Sequence, residues 1–161
     1  EGRVLDKLSE ELIEKLKLEG LTIEKEDKAL RIRVSTAEEL VNVLNKLKMQ
    51  GFDHIKSITA IDLPNKNVLE VSYILGSYSH DKMYETLMII TISLSRDNPV
   101  LPSISEIFPS SVYHERECYE MFGIKFEGHR DQRHLLLSPE DFTGIYPLRK
   151  EFKIEEEGIR G

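Results

Sequence analysis

Residues 69–75 read LEVSYIL and residues 88–94 read MIITISL. Leu69, Val71, Tyr73 and Leu75 occupy every other position of the first run, as Met88, Ile90, Ile92 and Leu94 do in the second. A period of two places these apolar side chains on one face of a strand. Each run therefore predicts a strand with one buried face, the pattern of an antiparallel sheet covered by helices on one side.

Outward from these runs, residues 55–61 (IKSITAI) predict a third strand. Leu21 and Ile23 on one side, and Leu30, Ile32 and Val34 on the other, flank the charged stretch 24–28 as a hairpin would. Leu5, Leu8, Leu12 and Leu16 recur at helical spacing and predict an amphipathic first helix ending near Gly20. Thr36 followed by Glu39 is a capping-box pattern. It opens a second helix carrying Leu40, Leu44 and Leu47 and closed by Gly51. Pro99 and Pro102 interrupt the alternation, and Ser103 with Glu106 marks another cap, for one short turn before Pro109. A last helix spans residues 111–122. The order helix, two strands, helix, three strands, helix is an α+β domain with a mostly antiparallel sheet covered by helices. Residues 1–122 form its body, and residues 123–161 an extended partner-binding arm with an acidic tail at Glu155, Glu156 and Glu157.

Composition limits the function classes. The chain of 161 residues fits one domain with a real core. A net charge of −7 argues against a nucleic-acid adaptor, which needs a basic face. Cys118 stands alone, so the chain holds neither an internal disulfide nor an all-cysteine iron–sulfur cluster. Apolar runs fall short of the roughly 20 residues of a membrane span, and no secretory pattern opens the chain, so membrane association is expected only through partners. The excess of Glu and Lys over Gln points to a thermophile.

From Gly123 onward the chain loses all periodicity. Gly123, Gly128, Pro139, Gly144 and Pro147 punctuate it, yet Phe126, Leu135, Leu136, Leu137, Phe142, Ile145, Tyr146, Leu148 and Phe152 need cover. A long aperiodic run with this apolar content is a functional segment rather than a disordered one. It predicts an arm that orders against a partner surface.

The polar residues around it offer little chemistry of their own. His114-Glu115-Arg116-Glu117-Cys118 has the outline of an H-E-x-x-H zinc helix, but Cys118 replaces the second imidazole and no further ligand cluster is evident. Cys118 reads instead as a small buried residue beside Met121 and Phe122. Arg116 and Glu120 stand one helical turn apart and form either a solvated bridge or a charged ladder against the arm or a neighbouring subunit. In Gly128-His129-Arg130-Asp131-Gln132-Arg133-His134 donors crowd a turn, without a phosphate-cradling glycine loop or G-x-G-x-x-G. Pro147 stiffens the segment that presents Leu148, an apolar anchor, and Arg149, a guanidinium suited to partner carboxylates or carbonyls; the alternative is an ordinary C-terminal strand or loop packed on its own domain. No Ser-His-Asp set or catalytic carboxylate pair is present. An independent enzyme using the Arg/His-rich arm as an active-site loop is the alternative class.

These pieces form an ordered set: Glu115-Arg116-Glu117, Met121-Phe122-Gly123-Ile124, Phe126, Gly128-His129, Asp131, Arg133, Glu140-Asp141, Gly144 and Pro147-Leu148-Arg149-Lys150. The set resembles the signature of the "thirty-kilodalton" subunit of NADH:quinone oxidoreductase (complex I), and equally that of the matching subunit of membrane-bound hydrogenases and ferredoxin-dependent complexes. It departs from the family pattern at Tyr113, Glu120 and Arg130. The resemblance implies a cofactor-free accessory subunit of the hydrophilic arm of a complex-I-like oxidoreductase. Iron–sulfur clusters, and in some complexes nickel–iron, would lie in partner subunits. Those partners are a large hydrogenase-like catalytic subunit and a small iron–sulfur subunit, on the cytoplasmic side of the membrane. It also implies a partner interface at Glu115, Arg116, Glu117, Gly128, His129, Asp131, Arg133, Gly144, Pro147, Leu148, Arg149 and Lys150. The family spans complexes using NADH, ferredoxin or F420 as donor and quinone, protons or sulfur as acceptor.

Overall fold

The two alternating runs are adjacent strands. In the computed structural model, which describes residues 10, 13–14, 22–26, 29–79 and 86–153, the first lies in β4 (Val68–Gly76) and the second in β5 (Leu87–Ser95). They pair antiparallel with Tyr73 opposite Ile90 and Val71 opposite Ile92. All the alternating residues but Leu94 are buried, and Leu94 packs against the same core.

Around this pair the chain adds β1 (Ile23–Glu26), β2 (Ala29–Val34), α1 (Ala37–Met49), β3 (His54–Leu63) and a 3-10 turn at Pro64–Lys66. After β5 come β6 (Val100–Pro102), α2 (Ser111–Phe122), β7 (Lys125–Glu127) and a one-turn helix α3 (Pro139–Phe142). The strand order is β1-β2-β5-β4-β3. The expected first helix and Leu21 lie outside the described residues except for Glu10, Ile13 and Glu14, which are helical, as do Glu155, Glu156 and Glu157.

The fold is α+β with a mostly antiparallel sheet. One pairing differs: β2 runs parallel to β5, with Ile32 beside Ile90. Alternation reports which face of a strand is buried but not the direction of its neighbour, so this pairing left no trace in the sequence. The hairpin is also tighter than the charged stretch suggested, because Glu24, Lys25 and Glu26 are strand residues. Charge on such an outer strand protects an edge from pairing with other chains.

The body extends past residue 122. Ile124 and Phe126 are fully buried in the common core. β7 pairs in parallel with β6, with Leu101 beside Phe126. Three-residue strands are too short to show a period, and Gly123 read as the start of a loop. The arm proper begins at Gly128. Before Pro109 the chain makes the one short turn expected there: the Ser103 hydroxyl accepts the Ser105 amide at 3.3 Å, and the Phe108 amide donates to Ile104 O at 2.8 Å.

α1 forms as its sequence directs. The Thr36 hydroxyl accepts from the Glu39 amide at 3.1 Å, and the Glu39 carboxylate returns to the Ser35 amide at 2.8 Å. Glu38 and Glu39 in the first turn and Lys46 and Lys48 in the last complement the helix dipole. Leu40, Val43, Leu44 and Leu47 face the core. Replacing Thr36 with Ala removes the cap and is expected to lower stability by about 1 kcal/mol in a urea titration. An unchanged midpoint would show that packing of the apolar stripe alone sets the start of α1.

Candidate functional site

α2 carries most of the polar residues that the motifs single out, and it uses two faces. Ser111, Glu115, Cys118 and Phe122 recur at helical spacing and are buried against the body. The Cys118 thiol points to Ile58 O at 3.3 Å, and burial pushes it up to about 12, so it stays a protonated packing group. Among the described residues no group of three metal-ligating side chains comes together.

Glu115 is completely enclosed. Its carboxylate accepts from the Ile104 amide at 2.8 Å, the Ser103 hydroxyl at 2.7 Å and the Ser111 hydroxyl at 3.2 Å, with His129 Nε2 at 3.8 Å. Burial pushes its pKa up, and the hydrogen bonds from Ser103, Ile104 and Ser111 only partly oppose that shift. His129 is held from both sides. Its Nδ1 accepts the Asp131 amide at 3.0 Å, so Nε2 carries the hydrogen and donates to Val112 O at 3.1 Å. Gln132 closes the same turn by bonding both backbone groups of Phe126, its oxygen accepting at 3.2 Å and its amide donating at 2.7 Å.

The second face of α2 holds the arm. Arg116 donates to Arg133 O at 3.0 Å and to His134 O at 2.9 Å. One turn further, the buried Glu120 carboxylate accepts the consecutive amides of Leu135 at 2.9 Å, Leu136 at 2.9 Å and Leu137 at 3.2 Å. Arg116 and Glu120 therefore do not form a solvated bridge with each other. They form a charged ladder whose rungs are the backbone of residues 133–137.

The end of α2 supplies the next anchor. Gly123 sits at φ 73°, and a Cβ there would meet the Tyr146 ring at 2.6 Å. With only hydrogen at this position, Tyr146 covers the helix end. The Leu148 amide donates to Met121 O at 3.1 Å and Arg149 Nε to Phe122 O at 2.8 Å. These carbonyls belong to the last turn of the helix and have no partner within it. The positive charge of Arg149 also suits the negative end of the helix dipole. Its guanidinium stacks on Tyr146, 4.9 Å from the ring centre.

The final anchor lies on the sheet. Asp62 of β3 accepts Arg96 Nε at 2.6 Å and the Lys150 amide at 2.8 Å. Burial pushes the Asp62 carboxyl up, but the Arg96 guanidinium and the Lys150 amide outweigh it and hold it below the usual carboxylate range.

The arm is thus folded against its own body, where the sequence suggested a segment that orders on a partner. Glu115 and His129 are internal supports whose side chains are enclosed. Arg116 and Arg149 bond the chain's own carbonyls. Asp131 pairs with Arg133 at 2.8 Å, and Arg133 holds its carboxyl well below the usual range, although an exposed guanidinium makes this a solvent-screened pair. Glu117, Arg133, Leu148 and Lys150 remain exposed, Pro147 is half-buried, and Gly128 and Gly144 supply positive-φ turns in open space. The surface has an apolar element: Leu136 is 67% exposed, Leu148 52%, Ile145 42% and Tyr113 on α2 64%. Asp62, Arg96 and Tyr146 are the anchoring residues that sequence reasoning missed. Asp62 carried one signal, a charge within a strand-forming run, but the irregularity between Ile55 and Ser57 shifts the phase and hides which face it shares.

The chain and its fold have counterparts among known proteins. Residues 32–158 match the family model described as respiratory-chain NADH dehydrogenase, 30 Kd subunit. The chain belongs to this family. It is 35% identical over 126 residues to an NADH-quinone oxidoreductase subunit of Moorella thermoacetica, covering 78% of this chain and 81% of that one. It is 34% identical to a subunit of the F(420)H(2) dehydrogenase of Methanosarcina mazei, covering 63% of this chain but 61% of the relative. It is 49% identical over 75 residues to the beta subunit of the membrane-bound hydrogenase of Pyrococcus furiosus, 45% of this chain and 43% of the relative. The fold matches the trypsin-resistant fragment of Nqo5 with a TM-score of 0.63 at 26% identity, over 76% of this chain and 97% of the fragment. The membrane-bound sulfane sulfur reductase complex contains a chain of the same fold, with a TM-score of 0.77 over 93% of this chain and 86% of that one at 22% identity. The family resemblance of the motifs is therefore borne out over most of the chain, and α2 and its anchors lie inside the matched region.

Two outcomes follow from the anchors. Glu120→Ala leaves the amides of Leu135, Leu136 and Leu137 without their acceptor and is expected to cost about 1–3 kcal/mol. Amide exchange at 135–137 then rises sharply; unchanged exchange there would remove Glu120 from its role. Because the Asp62 pKa is lowered on folding, its contribution is present above the unfolded value of about 3.9 and is lost as pH falls through the folded value. Thermal melts from pH 6 to pH 2 should lose part of their acid sensitivity in Asp62→Asn.

Proposed function

We propose that this chain is a cofactor-free docking subunit in the hydrophilic part of a complex-I-like or membrane-bound-hydrogenase-like oxidoreductase. It braces a large hydrogenase-like catalytic subunit and a small iron–sulfur subunit, which carry the electrons. The complex would sit on the cytoplasmic face of the membrane, with this chain attached only through its partners. Among the described residues no helix is long and apolar enough to cross a membrane.

One observation carries the reading: the arm is rigidly anchored yet leaves large apolar side chains uncovered. Leu136 and Leu148 have their amides fixed to α2 at Glu120 and Met121, while both side chains stand out in solvent. Adjacent anchoring on one helix end holds them as fixed apolar projections rimmed by exposed Arg133 and Lys150, the kind of exposed apolar surface that marks a protein contact. A catalytic loop would instead present unbonded acids and bases, whereas Glu115, Glu120, His129 and Arg149 are all engaged internally. Family membership supplies the class of partner, and the relatives named as subunits of NADH-quinone, F(420)H(2) and hydrogenase complexes support it.

The test is a pair of surface substitutions. Leu136→Asp and Leu148→Asp are expected to leave the melting temperature of the isolated chain within about 2 °C, since exposed positions rarely change stability by more than about 0.5 kcal/mol. Each should lower the amount of assembled complex recovered through a tag on this chain by at least about tenfold, the loss of one anchor. Full assembly with reduced electron transfer would instead place the arm in the chemistry.

A further inference from the structure

Asp62 and Arg96 belong to the body, on β3 and just past β5, and neither is among the motif residues singled out in the sequence. The Asp62 side chain is fully enclosed, and that of Arg96 is 17% exposed. The carboxylate takes two bonds from the guanidinium, at 2.6 Å and 3.1 Å. One further acceptor position on Oδ2 meets the Lys150 amide at 2.8 Å, and Arg96 Nη2 also donates to the Glu151 carboxylate. The ion pair thus presents an acceptor and a donor side by side, and consecutive arm residues supply the matching donor and acceptor.

We propose that Asp62 and Arg96 form an intramolecular receptor for the end of the arm, residues 146–151, so that the projecting surface is assembled in the free chain. This rests on the docking role of the arm for its consequence, but the receptor itself stands on the contacts just described. A buried carboxylate short of a donor is costly, so the pair favours the docked arm over a released one. The receptor is continuous with the end of α2, where Met121 O and Phe122 O take Leu148 and Arg149 and where Gly123 admits the Tyr146 ring. Undocking the segment exposes these groups together, which makes its release a single cooperative step. A preformed surface binds without the ordering cost that a disordered arm would meet at the moment of association.

Hydrogen exchange on the full chain, without partners, tests this. In Asp62→Asn the amide nitrogen must face either Arg96 or the Lys150 N–H, so at least one bond is lost. Exchange at Leu148, Arg149 and Lys150 is expected to quicken by at least about tenfold, while Val71, Tyr73 and Ile90 keep wild-type rates. Glu151→Lys places a positive charge against Arg96 with the Asp62 pair intact, and should quicken the same amides. Wild-type exchange at 148–150 in both variants, or a uniform rise across β4 and β5, would overturn the receptor. Recovery of the assembled complex is scored separately. An arm that is released while assembly stays complete would retain the receptor and defeat the docking role.

Discussion

A segment without helix or strand must still find partners for its backbone amides and carbonyls, and in this chain α2 provides most of them. Arg116 takes carbonyls, Glu120 takes three consecutive amides, and the open end of the helix takes an amide and a guanidinium from residues 148 and 149. A buried peptide group without a partner costs as much as a lost hydrogen bond, so irregular chain is tolerated only where side chains stand in for a ladder. The arm keeps its irregular path because this one helix is laid out to meet it. The same helix faces the body through Glu115, Cys118 and Phe122, so body and arm share a single rigid element.

Two buried carboxylates illustrate how context decides the sign of an electrostatic contribution. Glu115 meets an amide and two hydroxyls, and burial still raises its pKa. Asp62 lies closer to the surface and meets a full guanidinium, and its pKa falls. Glu115 is therefore a positioning group that holds the loop before α2 at some cost, while Asp62 contributes net attraction. The Asp131–Arg133 pair has better geometry than either, but solvent screens it, so it shapes the turn more than it stabilises the fold.

For function, the separation of roles within the arm is the main consequence. Its backbone is committed inward, and its apolar side chains at Leu136, Ile145 and Leu148 are committed outward. The family to which it belongs is named for a subunit of a respiratory-chain enzyme.

The alternation at Leu69–Leu75 and Met88–Leu94, the capping residues at Thr36 and Glu39, and the helix closing at Gly123 determined the body, because each is a local effect that a few neighbouring residues decide. The spaced motif from Glu115 to Lys150 likewise determined the family. What only the tertiary structure decided are the contacts between residues remote in sequence: β2 beside β5, Glu120 on residues 135–137, and Asp62 on Lys150 across 88 positions. A lone Glu or Asp in a sequence carries no record of which backbone it will meet. That choice follows from where the sheet and α2 come to rest, and it made Glu115 and His129 buried internal supports.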